Sequence, residues 1–402
     1  MPGGPTEGAT SRESDRASER LLALRALPDS PDSLPQIVAA TKDPSINIAR
    51  TALRRLAKLG GDRDAAELRS RMLDVDPALT KDFAATLAAL GDEQAADESV
   101  EALSNESPHR RIAAAAVLEV LASPEQGTAL ADALGDSLAA IRSSALAALR
   151  RIGAREYGSA CVALLDDSDP QVRVAAVGAV AALVEEPGPL LDGVNRADAP
   201  EVRVAVAAHL PVLDQTVARV LLTDDEPAVR EAAARAAGAD RAGLLALILE
   251  GDPVIDVRIT AARRLGDLVQ VDDLDSISGP LVKGLTDRSP MVRVAALESL
   301  GKVLGRKGAV TRLIEAMTSE EEEQRRAAIY ALARLRASES EEALAAALDD
   351  RDREVRLAAV HCAEQLFGPD WEPLSRVAED PDPAVNHAVR MIVDRAGRQT
   401  PS

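Results

Sequence analysis

The sequence has few aromatic residues: they make up 1% of its 402 positions, although hydrophobic residues make up 46%. A large globular core normally buries many aromatic rings, because each ring removes a large area from water. The apolar residues are instead mostly Ala, Leu and Val, which suit thin layers of closely packed helices. This composition argues against an ordinary compact domain. The five rings belong to Phe83, Tyr157, Tyr330, Phe367 and Trp371.

Three further absences narrow the class of protein. No apolar run reaches the roughly 18 residues of a transmembrane helix, so no membrane insertion is expected. The N-terminal residues are polar and charged and lack the apolar segment of a signal peptide, which predicts a cytoplasmic protein. The two cysteines, Cys161 and Cys362, are too few for a disulfide framework. They also lie too far apart along the repeats described below to pair, so we expect free, buried thiols.

Lysine is scarce as well, with six lysines against 41 arginines, and the net charge is −19. Such a charge repels free nucleic acid, which binds to clustered Lys and Arg. An acidic, lysine-poor and aspartate-rich surface resembles proteins of salt-in halophiles, above all haloarchaea, where high ionic strength screens self-repulsion. A GC-rich genome would also favour Arg codons, but it explains the acid excess less well.

What the sequence does contain is a short motif that recurs along almost its whole length. The motif is Asp, often Pro, one further residue and then Val-Arg before an Ala-rich run, as in Asp169 to Arg173. Aligning the Arg position gives twelve copies at intervals of about 31 residues. The aligned positions are Asn47, Thr80, Arg111, Arg142, Arg173, Arg203, Arg230, Arg258, Arg293, Arg325, Arg356 and Asn386.

Each unit predicts two helices, as the fifth copy illustrates. Residues 156–165 form the first helix, and after a turn the second helix runs from Asp169 to about Leu183. Asp169 fits an N-cap, and Pro170 fits the first helical position, where a missing N–H is tolerated. Apolar residues at 3–4-residue spacing give the second helix one apolar stripe. One helix pair cannot bury both of its faces, so the units must stack.

The pattern resembles the HEAT repeat, in particular the short repeats of the PBS-lyase-like subfamily, over residues 34–396. The resemblance implies an all-α fold, a HEAT-like α-solenoid superhelix of about twelve helix-pair repeats. The first, second and last copies depart from the motif, as expected at the ends of a stack. We expect one solenoid over residues 18–396, opening with a short helix from Ser18 to Leu27. A disordered tail over residues 1–17 and a frayed tail over 397–402 should flank it.

The repeated Arg has two possible interpretations. It could form a ladder of arginines that grips an acidic partner. It could instead bond to the turn of its own or the adjacent repeat, as Asp and Arg do in HEAT-type units. A register that persists through nearly every unit favours the second, structural role.

The sequence shows no pattern for a catalytic, cofactor or metal site. The four histidines do not pair at ligand spacing, and neither a phosphate-binding glycine motif nor a nucleophile elbow is present. We therefore expect no enzymatic activity and no cofactor. The histidines are His109, His209, His361 and His387.

Two features are candidate contacts for a partner protein. Asp272, Asp273 and Asp275 lie in the longest interval between motif copies, where an inserted loop could touch a partner, although a solvated surface is the simpler interpretation. Phe367 and Trp371 flank a Gly-Pro-Asp turn between the last two repeats. A Trp in a loop of so ring-poor a chain suggests a binding anchor, and it could equally seal the C-terminal end of the core.

Solenoids usually supply surfaces for recognition, so we expect a non-enzymatic scaffold or adaptor for other proteins. Acidic haloarchaeal proteins that resemble this chain include a member of the taxis system. That resemblance implies chemotaxis or archaellum accessory proteins as partners, and a role linking chemotaxis signalling to the archaellum. Two alternatives remain open. One is a bilin-lyase-like enzyme subunit, although no chromophore site is evident, and the other is a HEAT-fold DNA-binding protein, which the net charge disfavours.

Overall fold

The computed structural model describes residues 7–193, 198–268 and 274–397. Within these ranges all regular structure is helical, and no strand occurs. The chain is an all-α solenoid of helix pairs, which confirms the predicted fold class. Its contacts divide it into two compact units, Met1–Val194 and Asn195–Ser402, where the sequence predicts a single solenoid. Each unit is described by itself below.

The first unit begins with a helix that starts earlier than predicted. Glu7–Ala26 is helical, so residues 7–17 have a helical backbone where the sequence predicts disorder, and residues 1–6 of that tail lie outside the described residues. Leu24 is buried in the core of this unit. The α-helices are α1 (Glu7–Ala26), α2 (Leu34–Ala40), α3 (Ile46–Leu59), α4 (Asp62–Arg69), α5 (Pro77–Ala89), α6 (Gln94–Ala102), α7 (Pro108–Leu121), α8 (Gly127–Ala133), α9 (Ala139–Ile152), α10 (Gly158–Val162), α11 (Pro170–Leu183) and α12 (Gly188–Leu191).

The second unit continues the same alternation of first and second helices. Its α-helices are α13 (Pro200–Ala207), α14 (Gln215–Leu222), α15 (Pro227–Ala236), α16 (Ala242–Gly251), α17 (Ile255–Asp267), α18 (Asp275–Gly284), α19 (Pro290–Ala316), α20 (Glu322–Arg334), α21 (Glu341–Ala347), α22 (Arg353–Phe367) and α23 (Pro383–Gly397). The backbone of α19 is interrupted at Gly305, where φ is +66° and ψ is 169°. This positive φ, which disfavours an L side chain and suits glycine, breaks the helix. The break separates the second helix of one repeat from the first helix of the next.

Short 3-10 turns precede, extend or replace several first helices. In the fifth repeat α10 is followed directly by the turn Ala163–Asp166, and the second helix α11 then begins at Pro170. The Asp169 carboxylate accepts the backbone N–H of Gln171 at 2.8 Å, which confirms the predicted N-cap. The 3-10 segments are Pro31–Ser33, Pro124–Gln126, Arg155–Tyr157, Ala163–Asp166, Leu210–Val212, Ala239–Arg241, Ser338–Ser340 and Glu372–Glu379.

The second helices pack against one another in chain order and form a row in each unit. The first unit stacks α3, α5, α7, α9 and α11, and the second unit stacks α13, α15, α17, α19, α20, α22 and α23. Small side chains allow this close packing, and Gly266 of α17 shows it most clearly. A Cβ added at Gly266 would lie 2.5 Å from the Cβ of Ser299 in α19. Each first helix packs mainly on its own second helix, so the aliphatic faces are buried between layers.

Both cysteine thiols lie inside this core. Cys161 and Cys362 are buried and free, as predicted. Burial raises the pKa of the Cys161 thiol to about 11 and that of Cys362 to about 12. Neither thiol therefore supplies a thiolate nucleophile at neutral pH.

Candidate functional site

The repeated arginine is held in the same way in most repeats, and Arg258 shows the arrangement. Its Nη1 donates to the backbone carbonyl of Asp252 in its own turn at 2.7 Å. Its Nε and Nη2 donate to the two carboxylate oxygens of Asp287 in the next repeat, at 2.7 and 3.0 Å. The side chain is 2% exposed. One guanidinium thus joins two consecutive repeats through charge-assisted hydrogen bonds.

We call this set of pairs the Asp–Arg ladder. Each Asp lies six residues before the Arg position of its own repeat, and it also accepts a backbone N–H within its turn, as Asp167 does from Asp169 at 2.9 Å. The ladder confirms the structural interpretation of the repeated Arg. Its described pairs are Arg111–Asp136, Arg142–Asp167, Arg203–Asp224, Arg230–Asp252, Arg258–Asp287, Arg325–Asp350 and Arg356–Asp380.

Several of the pairs shift the pKa of a carboxyl or a guanidinium group. The Arg142 guanidinium holds the pKa of the Asp167 carboxyl below its ordinary value, although burial acts in the opposite direction. The bond from Arg356 lowers the pKa of Asp380 in the same way. The hydrogen bond to Asp287 raises the pKa of Arg258. In these pairs the hydrogen bonds favour the charged forms of both groups.

Besides Ala197, two of the Asp positions that follow an earlier repeat hold another residue. At the second repeat Thr80 replaces the Arg, and Asn105 stands at the Asp position of the following turn, so both partners are changed together. At the ninth repeat Arg293 is present, but Ser319 stands at the Asp position of the following turn. Of these two cases, the second keeps the arginine and loses the carboxylate.

Beside Arg293, the row of second helices in the second unit presents an exposed groove. The groove has a volume of about 380 Å³ and lies between α19 and α20. Tyr330 is 51% exposed, and Met291, next to Pro290 in the sequence, is 64% exposed. We call it the Tyr330 groove, and it is lined by Leu285, Pro290, Arg293, Val294, Leu297, Ala327, Tyr330, Ala331, Ala333, Arg334 and Gln365.

A second depression of about 490 Å³ continues the Tyr330 groove toward the turn before α19. It shares Arg293 and Tyr330 with the groove and adds Arg288, Glu323 and Arg326 to the lining. Partial burial raises the pKa of the Tyr330 hydroxyl. The phenol is therefore neutral at physiological pH and offers one hydrogen-bond donor above an apolar ring.

The residues predicted as protein contacts lie apart from this groove. The rings of Phe367 and Trp371 stack at a centroid distance of 4.8 Å and an interplanar angle of 28°. The Trp371 Nε1–H donates to Glu341 Oε1 at 2.9 Å, and both rings are partly buried. This pair closes the turn after α22, and its use as a binding anchor stays a prediction.

The predicted acidic contact is described only in part. Asp275 is exposed at the start of α18, and its carboxylate lies 3.3 Å from the guanidinium of Arg312. Asp272 and Asp273 lie outside the described residues. The structure therefore brings Phe367 and Trp371 together and does not place Asp275 with them.

The sequence reasoning missed the Tyr330 groove, although two signals for it are present. Tyr330 is one of only five rings, and it lies on a second helix whose other face is aliphatic. Ser319 is visible in the repeat alignment as a missing Asp, once the position six residues before each Arg is compared.

Metal and membrane sites were also sought in the part of the chain that the structure describes. No group of three His, Cys, Asp or Glu side chains converges there in a way that could hold a metal ion. In the same ranges no helix combines the length and the apolar character needed to cross a bilayer.

The fold and the ladder define an α-solenoid of stacked helix pairs. Part of it matches known repeat families: a family model described as HEAT repeats matches residues 241–332 and 310–392, and a HEAT repeat model matches residues 159–186. No curated protein sequence matches the chain. The PBS-lyase-like subfamily of the predicted resemblance is taken up below.

Solved structures of a karyopherin share this fold. Kap121p bound to Nup53p has 16% identity and a TM-score of 0.51, with 89% of this chain and 42% of that chain covered. Kap121p bound to the SUMO protease Ulp1p has 14% identity and a TM-score of 0.51, with coverage of 90% and 44%. Kap121p by itself has 14% identity and a TM-score of 0.50, with coverage of 91% and 44%. The chain thus spans less than half the length of these structures.

Proposed function

We propose that this protein is a non-enzymatic scaffold that binds a partner protein through the Tyr330 groove. The observation that carries the proposal is the exposure of Met291 and Tyr330, at 64% and 51%, on the row of second helices beside an open groove. Tyr and Met are enriched at protein interfaces, and Tyr is frequent among the residues that dominate binding energy. A chain with so few rings and one of them exposed beside a groove is suited to this use.

Charge and fold both support a protein as the partner. A net charge of −19 disfavours nucleic acid, because phosphate backbones are repelled over long range. The similar solved structures include the karyopherin Kap121p bound to Nup53p and to Ulp1p. A solenoid of this kind presents a long row of helices, and such surfaces commonly hold other chains.

A photo-crosslinking experiment tests this surface. A benzoylphenylalanine replaces Met291, and in a matched control it replaces Leu247, which is 63% exposed on the first helix α16. In host cells, we expect a discrete protein adduct from position 291 that disappears when Tyr330→Ala is added. Equal adducts from both positions, or an adduct insensitive to Tyr330→Ala, would contradict the proposal.

We further propose that the chain is a cytoplasmic, PBS-lyase-like short-repeat protein of a halophilic archaeon. The acidic, lysine-poor composition supports this, because high salt screens the self-repulsion of a chain with net charge −19. Circular dichroism should show a folded protein in about 2 M KCl and loss of helix as salt falls below about 0.2 M. Equal stability in both salts would contradict a halophilic origin.

Within that setting, we propose a link between chemotaxis signalling and the archaellum as the specific role. The support is the overall resemblance of the repeats and composition to a taxis protein. Mass spectrometry of the position-291 adduct would identify the partner directly. Chemotaxis or archaellum accessory proteins are the expected result, and a reproducible, unrelated partner would end the taxis proposal while leaving the scaffold proposal intact.

A further inference from the structure

One position of the Asp–Arg ladder keeps the turn but has lost the charge. Ser319 lies six residues before Arg325, as Asp350 lies six before Arg356. The backbone carbonyl of each accepts a hydrogen bond from its own Arg Nη1 at 2.8 Å. The Ser319 hydroxyl accepts the N–H of Glu321 at 3.2 Å, as the Asp350 carboxylate accepts the equivalent N–H at 2.8 Å. The turn therefore keeps its backbone bonds, while the Ser319 hydroxyl donates to Gln324 Oε1 at 2.5 Å where other repeats have a carboxylate.

Arg293, the arginine that should meet this carboxylate, is held in the ladder position. Its Nη1 donates to the backbone carbonyls of Asp287 at 2.8 Å and Arg288 at 3.4 Å. Its Nε and Nη2, the edge that binds Asp in other repeats, make no hydrogen bond or ion pair with any residue that the structure describes. The side chain is exposed, whereas the paired Arg258 is 2% exposed. The donor edge is preorganised and open to solvent.

The surroundings of Arg293 add positive charge and an apolar surface. Arg288, Arg326 and Arg334 line the same two depressions, and none of them forms an ion pair within the described ranges. Val294 and the Tyr330 ring supply apolar contact beside the guanidinium. Two carboxylates also line the second depression, Glu323 and Asp287, and Asp287 is paired with Arg258. The four arginines outnumber them, so in a chain of net charge −19 this surface attracts a negatively charged group.

We infer that Arg293 is a receptor for an Asp or Glu side chain of the partner protein, which takes the place that Ser319 leaves vacant in the ladder. The inference rests on the proposed function and names the chemistry that the groove recognises: an acidic side chain next to an apolar one. The guanidinium edge fits a carboxylate through two parallel hydrogen bonds. A phosphodiester would satisfy the charge but would not fill the apolar side of the groove.

A substitution that fills the vacant position from within tests the inference. Ser319→Asp should pair with Arg293 as Asp350 pairs with Arg325, and Ser319→Asn is the matched control of similar size without charge. Both variants keep a side-chain oxygen to cap the turn, so both should retain the helical circular dichroism of the wild type. The full chain is selected against a displayed random octapeptide library in about 0.5 M KCl, which is above the salt range where loss of helix is expected and still screens charge pairs only partly.

The wild type should enrich peptides with Asp or Glu beside an apolar residue. For the best peptide, Ser319→Asp should weaken binding by about tenfold or more, because it occupies the arginine edge, while Ser319→Asn should change binding by less than about twofold. Replacing the peptide acid by its amide should weaken binding to the wild type. It should cause little further loss with Ser319→Asp, because both changes remove the same interaction.

Other outcomes separate this inference from the proposed function. Peptides that need Tyr330 but show no dependence on an acid or on Ser319→Asp overturn the carboxylate receptor and leave the scaffold proposal standing. Binding of a short duplex DNA that Ser319→Asp abolishes, with no peptide enriched, overturns both. Peptides insensitive to Tyr330→Ala and to Ser319→Asp alike place binding elsewhere and also overturn both.

Discussion

Arg258 and Arg293 occupy the same motif position in two consecutive repeats, but their side chains lie in opposite environments. Each donates Nη1 to a backbone carbonyl of its own turn, at 2.7 and 2.8 Å. Arg258 also binds the Asp287 carboxylate and is 2% exposed, whereas the next repeat offers Ser319 in place of an Asp and Arg293 is exposed. The comparison teaches that the motif fixes only half of the arginine's environment. The residue in the next repeat decides whether the side chain serves the fold or a partner.

The sharpest way to test the comparison is to remove each arginine in turn. Arg258→Ala should lower the free energy of unfolding by about 3–5 kcal/mol, because it leaves the Asp287 carboxylate buried without its cation. Arg293→Ala should cost about 0.5–1.5 kcal/mol, since it loses only hydrogen bonds near the surface. Urea unfolding followed by circular dichroism measures both. Similar losses for the two variants would contradict the distinction between a closed and an open position.

A second test uses the pH dependence of a closed pair. Asp380 is 4% exposed, and its two carboxylate oxygens accept hydrogen bonds from Nε and Nη2 of Arg356. Asp380→Asn should cost about 1.5–3 kcal/mol at neutral pH, because a charged hydrogen-bond pair is lost. The folded-state pKa of Asp380 is lowered, so its contribution is present above the unfolded value of about 3.9 and disappears as pH falls through the folded pKa.

The difference in stability between the wild type and Asp380→Asn should therefore be largest above about pH 4 and shrink as the pH falls further. Unfolding by urea at a series of pH values measures this. A constant difference between the two proteins across the whole acid range would show that the carboxylate charge does not stabilise the pair.

A third test addresses the close packing of α17 against α19, which lie on either side of the Arg258–Asp287 pair. Gly266→Ala would place a Cβ 2.5 Å from the Cβ of Ser299 and 2.8 Å from its Cα, so α17 and α19 must separate. We expect a loss of about 1–3 kcal/mol in unfolding free energy, typical of overpacking. Gly301→Ala is the control, because no atom lies within 4 Å of a Cβ there. Equal effects of the two variants would argue against a tight contact.

The smallest expected effect comes from adding the missing carboxylate at position 319, opposite Arg293. Ser319→Asp should raise the free energy of unfolding by about 0.5–1 kcal/mol, since the new pair with Arg293 stays partly exposed. Ser319→Asn should leave it unchanged within error. The gain of the Asp variant should shrink in molar salt, and an increase of the same size for both variants would point to the turn rather than to the charge.

Much of the fold could be predicted from the sequence, because the repeat multiplies weak signals. Asp169 and Pro170 mark a helix start, and the recurrence of that pattern sets the helix pairs. In the structure the positive φ of Gly305 separates two helices that otherwise lie in one continuous helical stretch. The helical backbone of residues 7–17 was missed, because a polar composition gives no apolar stripe.

The candidate site was harder to predict, because it depends on contacts between repeats. The sequence shows that Arg293 is in register, but not that its guanidinium lacks an acceptor. Exposure of Tyr330 likewise depends on how α19 and α20 pack. The stacking of Phe367 on Trp371 could not be derived either, because the path of the turn between them sets the ring separation.

The ladder has a consequence for how such a chain can change in length. Each paired arginine reaches forward by one repeat to an aspartate at a fixed position, as Arg325 reaches Asp350. Inserting or deleting one whole repeat inside a run of such pairs therefore leaves each arginine of that run with an aspartate, whereas a partial insertion leaves a buried charge without its partner. Duplication or deletion of whole repeats can thus change the length of the protein at little cost to stability. A single base change that replaces one of the paired aspartates can open a new acid-binding position.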